Sequence, residues 1–420
     1  MPRPRSLVHP VTLHFDGEPI PAERGEPVAV ALLAAGKLAL ARSAKFHRPR
    51  GPACLRAACD GCLARVDERP NVMTCMVPAA DGMVVKTQNT LGSREVDLLR
   101  VTDWFFPHGM NHHELFAGIP GLQGIMQSFA RRVAGLGKLP AEVSAPREAR
   151  RRAADVVVVG SGAAGMSVAV RAADAGRQVE VIDDALEAGG TLRALPPEEA
   201  APWKPLLARF EQHRATKAIT LRLETTAAAL YGDDLLVAGP EGAEIVTARA
   251  LVLAPGAHDA VLPFEGNDLP GIFSARAAGW LLARGVLPGE RVVVCIAPGA
   301  DSLGEAVARR VAAAGGEVEV VHGEPLAAEG SARFKGLRVN TAAGEQRVKG
   351  DALVVHAPRA PAYELCEQAG ASLVHEPRGF VPKVARGKIR DGVFALGEVT
   401  GIPFDPRAFA AAAEEIAGGF

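Results

Sequence analysis

The sequence predicts a small α+β unit built around a cysteine-rich loop, followed by a larger α/β region in which strands and helices alternate. Three observations predict it. Four of the six cysteines (Cys54, Cys59, Cys62 and Cys75) crowd into one short stretch. A Gly-x-Gly-x-x-Gly run at 160–165 follows the apolar run DVVVV (155–159). A second strand–helix–strand pattern begins at RVVVCIA (291–297).

At 420 residues the chain is long enough for two to three domains. Hydrophobic residues make up 48% and charged residues 23%, which allows sizeable cores and a soluble surface. The formal net charge of −1 argues against bulk attraction to nucleic acid or to an anionic membrane. No apolar run is long enough for a transmembrane helix. The N-terminus MPRPRSLVHPVTLHFDGEP is basic but lacks the apolar core of a secretory signal. Clustered cysteines in such a chain read as metal ligands rather than as a disulfide framework.

Residues 1–95 form the first expected domain. VTLHFDG (11–17) alternates like a half-buried strand and ends at a turn, and EPIPAE supplies its partner. A short helix at 28–35 stops at Gly36. The cysteine loop comes next, followed by strands near 63–66 and 83–86. Residues 96–154 are expected to be a helical connector and linker. They contain the helical pattern IMQSFARRVAGLG and the Pro-containing, charged stretch 140–154. The adjacent His112 and His113 are expected in a core or interface, because neighbouring side chains diverge on regular structure. Residues 155–420 form the α/β region, with a second strand–helix–strand unit inserted at about 265–350.

The cysteine spacing is Cys54-x4-Cys59-x2-Cys62-x12-Cys75. C-x4-C-x2-C with a further cysteine is the ligand pattern of a plant-type 2Fe–2S loop, whereas structural zinc takes two short C-x2–4-C knuckles. Ala57, Ala58 and Gly61 are small, so backbone N–H groups can approach inorganic sulfide. The expected domain is a β-grasp-like 2Fe–2S fold, clipped because Cys75 follows so soon. Upstream, Arg42, Lys45, Arg48 and Arg50 form a cationic run: a solvated loop, a docking surface, or a positive field that stabilises the anionic cluster.

Gly160, Gly162 and Gly165 have the roles of a dinucleotide-binding turn. Gly160 makes the bend, Gly162 admits the pyrophosphate, and Gly165 lets helix and strand pack. Ala163 and Ala164 open the helix, whose N-terminus favours phosphate charge. Asp183, ending VEVID, stands where a ribose-binding acid belongs, with Asp184 as the neighbouring candidate. Gly189 and Gly190 allow close passage to the nucleotide. The closing segment GVFALGEVTG places Gly397 and Glu398 where two-dinucleotide flavoproteins carry Gly-Asp facing the flavin. This favours FAD, with NAD as the alternative at the same site. In the second unit the loop reads Ala297-Pro298-Gly299-Ala300-Asp301-Ser302, so two of three glycines are missing and Pro298 removes an N–H. A second NAD(P) site is therefore doubtful. The expected fold class of the larger region is an α/β two-dinucleotide-binding, Rossmann-type flavoprotein domain.

The stretch RSAKFHRPRGPACLRAACDGCLARVDERPNVMTCMVP resembles the N-terminal region shared by the α subunit of heterotetrameric sarcosine oxidase and the small subunit of hydrogen cyanide synthase. RRVAGLGKLP (131–140), DVVVVGSGAAGMSVAV, APGAHDAVLPFEGNDLPGIFSA and GVFALGEVTG resemble later parts of the same α subunit. The resemblance runs from about residue 11 to 418. It implies an electron-transfer subunit of an amine or amino-acid oxidase or dehydrogenase, a family that includes opine and hydroxyproline enzymes. A partner flavoprotein subunit of the D-amino-acid-oxidase type would oxidise the C–N bond, so a hetero-oligomer is implied. The folate-binding half of the sarcosine oxidase α subunit has no counterpart here, so methylene transfer to folate is not expected. The family's Ala-Thr-Gly is replaced by Ala254-Pro255-Gly256.

The expected function is a relay of electrons between a partner flavin, the chain's own dinucleotide and the cluster. Two alternatives stay open: a self-contained NAD(P)H-dependent reductase that feeds the cluster, and a scaffold whose nucleotide is structural. The expected location is the cytoplasm, with peripheral association at the inner membrane through an electron acceptor.

Overall fold

The computed structural model describes residues 3, 6–43, 46–88, 90–94, 96–105, 119, 121–122, 124–125, 128, 145 and 148–420. The expected helix in IMQSFARRVAGLG and the pair His112/His113 lie largely or wholly outside them. Among the described residues no helix is long and apolar enough to cross a membrane. The chain divides into two compact units. One comprises 1–143, 262–296 and 311–355; the other comprises 144–261, 297–310 and 356–420.

In the first unit the alternating run becomes strand Pro10–Phe15, which buries Val11, Leu13 and Phe15 on one face. It pairs antiparallel with Glu18–Glu23 across a turn in which Asp16 and Gly17 adopt positive φ. It pairs parallel with Val84–Lys86. Leu63–Val66 and Arg69–Met73 complete a five-stranded mixed sheet. Helix Val28–Ala34 buries six of its seven residues. A helix on a mixed sheet is the β-grasp-like arrangement expected.

The same unit contains a four-stranded sheet in the order Ile272–Ser274, Ala352–His356, Arg291–Ile296, Glu317–His322. A three-stranded antiparallel sheet lies in sequence between two of its strands, Glu317–His322 and Ala352–His356: Glu324–Gly330, Phe334–Thr341 and Gly344–Lys349. Phe334, Leu337, Val339 and Val348 from the three-stranded sheet share a core with Val293, Cys295 and Leu353.

The second unit is built on an eight-stranded sheet. Ile219–Arg222, Val179–Ile182, Arg150–Val159 and Gly242–Leu253 are parallel, with Val393–Ala395 paired to the end of Gly242–Leu253. Helix Ala163–Asp174 buries ten residues against this sheet and against helix Pro406–Ala417. Asp405 caps that last helix by accepting from the N–H groups of Arg407 and Ala408, and Pro406 occupies its first turn.

One element differs from expectation. The charged residues 150–154 are not linker; they are the first half of strand Arg150–Val159. The still longer partner Gly242–Leu253 supplies the ladder, pairing Arg150–Ala154 with Glu244–Ala248. The charge of Arg152 is met by Glu180 at 2.6 Å and Glu244 at 3.0 Å, and Arg222 bonds the same two carboxylates.

Candidate cluster loop and dinucleotide cradle

The four clustered cysteines come together in the first unit as two pairs. Cys54 Sγ lies 3.3 Å from Cys59 Sγ, and Cys62 is hydrogen-bonded to Cys75. Cys54, Cys62 and Cys75 are buried, while Cys59 is half-buried. The loop achieves this through backbone shape. Leu55 and Ala57 adopt left-handed φ of 51° and 59°, an uncommon conformation for residues with a side chain. That conformation turns N–H groups inward: Arg56 N–H donates to Cys54 Sγ and Ala57 N–H to Cys75 Sγ, both at 3.4 Å. Gly61 is obligatory, since a Cβ there would stand 1.8 Å from the Gly51 carbonyl oxygen. Ser274 N–H donates to the Ala53 carbonyl at 2.9 Å and anchors the loop.

In each pair the shared hydrogen bond lowers one thiol's pKa and raises the other's. The hydrogen bond from Cys54, opposed by burial and aided by nearby backbone N–H groups, pushes the Cys59 thiol down to about 6. Its hydrogen bond to Cys59, together with burial, holds Cys54 well above the usual thiol range. Hydrogen bonding lowers Cys62 and raises Cys75 in the same way. Two pairs of sulfurs with inward N–H groups fit a two-iron cluster, which takes two thiolates per iron. A single zinc ion requires four ligands around one centre. Among the described residues no group of three or more His, Cys, Asp or Glu side chains closes around one ion. The isolated Cys295 and Cys366 are different: burial pushes each thiol up to about 12.

The upstream cationic run is internally braced. Arg42 donates to the His47 and Arg94 carbonyls, Arg48 pairs with Asp103 at 2.6 Å, and Arg50 lies 3.4 Å from Asp268. Lys45 lies outside the described residues.

The glycine loop sits in the second unit, between strand Arg150–Val159 and helix Ala163–Asp174. Gly160 has φ +102°, and a Cβ on it would lie 2.2 Å from the Ala254 carbonyl oxygen. A Cβ on Gly165 would lie 1.9 Å from the Gly160 carbonyl oxygen. Over Gly162 the situation reverses: a Cβ there would meet nothing within 4 Å. Of the loop's three glycines the outer two are tight against the protein and the middle one is open, where a ligand's phosphate would approach. Gly189 and Gly190, at φ +113° and +51°, lie alongside; Gly189 N–H donates to the Ser161 carbonyl at 2.9 Å. Asp183 closes the cradle. One of its carboxylate oxygens accepts from Ser161 N–H at 2.6 Å and Ser161 Oγ at 2.7 Å, and the other accepts from Ala185 N–H at 2.9 Å. Ser161 was not singled out in the sequence, because only the fold brings residues 22 apart together. Asp184 is exposed.

Gly397 and Glu398 also come to this edge. A Cβ on Gly397, at φ +96°, would stand 2.6 Å from Ala164 Cβ, so glycine alone lets the closing segment pass the helix start. Glu398 does not stand free. It accepts from Arg359 Nε at 2.8 Å and Nη2 at 2.6 Å, and Arg359 Nη2 also bonds Asp301 at 2.6 Å. Burial works against the Arg359 charge, but Glu398, Asp301 and Asp259 outweigh it and hold its pKa up.

Asp301 belongs to the second, glycine-poor loop and accounts for the doubtful second site. Its carboxylate accepts from Leu303 N–H at 3.1 Å, in the first turn of helix Leu303–Ala313, and lies 2.8 Å from His356 Nε2. The chain's own anion thus occupies the helix N-terminus that a nucleotide phosphate would need. Arg359 and Asp301 went unnoticed in the sequence. The available signal was an arginine set between prolines (HAPRAP) directly after a buried strand.

Comparison with known proteins agrees with this geometry. Residues 8–90 match the model of a 2Fe-2S iron-sulfur cluster binding domain, and 154–332 that of a pyridine nucleotide-disulphide oxidoreductase. The chain is 28% identical over 349 residues to sarcosine oxidase subunit alpha of Rhizobium meliloti, covering 76% of this chain and 35% of that protein. It is 33% identical over 85 residues to hydrogen cyanide synthase subunit HcnA of Pseudomonas aeruginosa, covering 20% of this chain and 81% of that one. It spans about a third of the length of the sarcosine oxidase α subunits it matches. The fold is that of L-proline dehydrogenase from P. horikoshii, with a TM-score of 0.69, 21% identity, and coverage of 95% of this chain and 72% of that one. The matches bear out the expected fold class and the expected cofactors, a 2Fe–2S cluster and FAD.

Proposed function

We propose a function from the family to which this chain belongs, that of the sarcosine oxidase α subunits and the hydrogen cyanide synthase subunits: it is the electron-transfer subunit of a multi-subunit amino-acid or amine dehydrogenase or oxidase. The substrate class is a secondary or substituted amine of the sarcosine, proline, hydroxyproline or opine type. Oxidation of the C–N bond falls to a partner flavoprotein subunit of the D-amino-acid-oxidase type, and the assembly works in the cytoplasm, with the inner membrane reached through an electron acceptor.

The observation that carries this reading is the gathering of four sulfurs into two pairs on a loop whose N–H groups point at them. When bound, the cluster supplies one-electron transfer and FAD two-electron transfer, so the chain can split a two-electron donor into single steps. Cys54, Cys59, Cys62 and Cys75 would hold the cluster, each pair offering two thiolates to one iron. The Arg56 and Ala57 N–H groups offset the thiolate charge and so tune the potential. Gly160 and Gly165 fix the loop, Gly162 leaves room for the pyrophosphate, and the N-terminus of helix Ala163–Asp174 stabilises its charge. Asp183 offers its carboxylate to the ribose, held in place by Ser161.

The test is to purify the chain anaerobically, alone and with the products of neighbouring genes. The expected result is a brown protein with two iron and two sulfide per chain, a flavin, and dye reduction by an amino acid only when the partner is present. Replacing any of the four clustered cysteines with serine removes the cluster's absorption. An iron-free chain, or one that oxidises the amino acid unaided, would sink the proposal.

A further inference from the structure

In the first unit a cleft of about 540 Å³ lies against the inserted sheets, and five cations line it: Arg291, Arg333, Lys335, Arg347 and Lys349. All five are exposed. They arrive from three places in the sequence. Arg291 begins strand Arg291–Ile296, Arg333 and Lys335 flank the buried Phe334, and Arg347 and Lys349 alternate around the buried Val348. Two acids share the lining, and both are committed. Glu329 pairs with Arg347 at 2.6 Å. Asp351 accepts from the N–H groups of Glu290 at 3.2 Å and Arg291 at 3.0 Å. Among the described residues, no side chain pairs with or hydrogen-bonds the charged groups of Arg291, Arg333, Lys335 and Lys349. Four unmatched cations sharing one cleft are a local excess in a chain whose net charge is −1. Their summed field favours an incoming anion.

The cleft borders the footing of the cysteine loop. Phe334, in its lining, donates its N–H to the Pro270 carbonyl at 2.9 Å. Pro270 Cα lies 3.0 Å from where a Cβ on Gly51 would be, and the Gly51 carbonyl packs against Gly61, between Cys59 and Cys62. Arg100 joins the same region by donating to the Ser331 carbonyl at 2.9 Å. The form of the lining selects the kind of anion. A site for one small phosphate or carboxylate closes buried donors on it, whereas every cation here is a long, exposed side chain. Such side chains meet solvated carboxylates over a broad area at little desolvation cost, which is the chemistry of transient contacts between redox proteins.

We propose that this cleft docks an acidic electron-carrier protein, which exchanges single electrons with the cluster on Cys54, Cys59, Cys62 and Cys75. The inference rests on the reading of the chain as an electron-transfer subunit, and it names the chemistry of the acceptor: a small protein with carboxylates gathered around its redox group.

Flavodoxin, a small acidic one-electron carrier, is the probe. Calorimetry with the purified holo chain is expected to show binding at about 20 mM salt that fades by about 0.5 M, because salt screens exposed charges from one another. When reduced flavodoxin meets the oxidised chain, one electron leaves flavodoxin and enters the cluster, and the colour change of flavodoxin reports the rate. K335E/K349E is expected to lower both the affinity and the second-order rate about tenfold or more at low salt, and to converge with wild type at high salt. Both positions are exposed, so this variant should melt like wild type. K204E/K383E, which changes the total charge equally at exposed positions of the other unit, should leave both quantities within about twofold. Equal losses in the two double variants would reduce the effect to net charge and overturn the proposal. So would undiminished binding in K335E/K349E, or no binding of flavodoxin at low salt. Tripolyphosphate is titrated in parallel: tight one-to-one binding that K335E/K349E abolishes, with flavodoxin unaffected, would make the cleft a small-anion site and overturn the proposal as well. A chain without iron sinks the electron-transfer reading instead, and the calorimetry, which needs no cluster, still tests the dock.

Discussion

The two glycine-loop positions of this chain have the same local plan, a strand running into a helix, and opposite interiors. At Gly160–Gly165 the polypeptide presses on itself at both outer glycines and withdraws at the middle one, leaving space over Gly162. At Ala297–Ser302 the loop turns its own carboxylate onto the helix N-terminus through Leu303 N–H. A helix N-terminus attracts whichever anion is close. In the first, no side chain among the described residues caps the helix, and the nearby acid Asp183 bonds Ser161 instead, so a ligand's phosphate can approach; in the second, Asp301 is already there. The difference shows that a nucleotide site is defined as much by the residues that stay away as by those that arrive.

The harshest way to break this comparison is to add a methyl group where the first loop is tight. G165A puts a Cβ 1.9 Å from a backbone oxygen that cannot move without dragging the turn at Gly160. The expected cost is about 3 kcal/mol or more, a fall in Tm of roughly 10 °C, read by calorimetry or dye melting. A variant melting like wild type would mean that the loop is slack and that its glycines carry no packing role.

A sharper test uses the slack position. G162A meets no protein atom and has an ordinary φ of −73°, so the apo protein should melt within ~2 °C of wild type. Its affinity for the dinucleotide should fall about tenfold or more, because the added methyl group fills the phosphate's approach. The counterpart G299A, at φ +77° in the second loop, should cost about 1 kcal/mol of stability and leave dinucleotide affinity unchanged. Undiminished affinity in G162A would break the contrast between the loops.

How much of this was legible in the sequence follows from range. The cysteine spacing and Gly160, Gly162 and Gly165 were readable because each motif is local: neighbours in sequence do the work, and the residue types have few other uses. Glycine loss in the second loop was also visible, as was the doubt it cast. Invisible was what replaced the function. Arg359 meets Glu398 and Asp301 across 39 and 58 residues, and no periodicity marks such a meeting. The strand residues 150–154 were read as linker for the same reason. An arginine-rich run looks solvated until Glu180 and Glu244 arrive from other strands to pair with it. The cationic run around Arg48 read as a solvated loop, a docking surface or a field stabilising the cluster, and the pairing of Arg48 with Asp103 and of Arg50 with Asp268 comes from outside the motif.

The smallest expected effect concerns the anion that closes the second loop. Burial alone would raise the Asp301 pKa, but the His356 hydrogen bond, the Arg359 charge and the Leu303 N–H outweigh it and hold it well below the usual carboxylate range. A depressed folded-state pKa contributes stability that is fully present above the unfolded value of ~3.9 and disappears as pH falls through the folded one. D301N should therefore destabilise the apo protein at pH 7 by ~1 kcal/mol or less, discounted because the carboxylate is half-exposed. The gap between D301N and wild type should hold from pH 7 to 5 and narrow steadily below pH 4. Glu398 and Asp259 also face Arg359 and stay in both proteins, so their titration largely cancels in the difference. Parallel stability curves for the two proteins down to pH 3 would show that the carboxylate contributes nothing as an anion. The second loop would then owe its closure to Pro298 and the missing glycines alone.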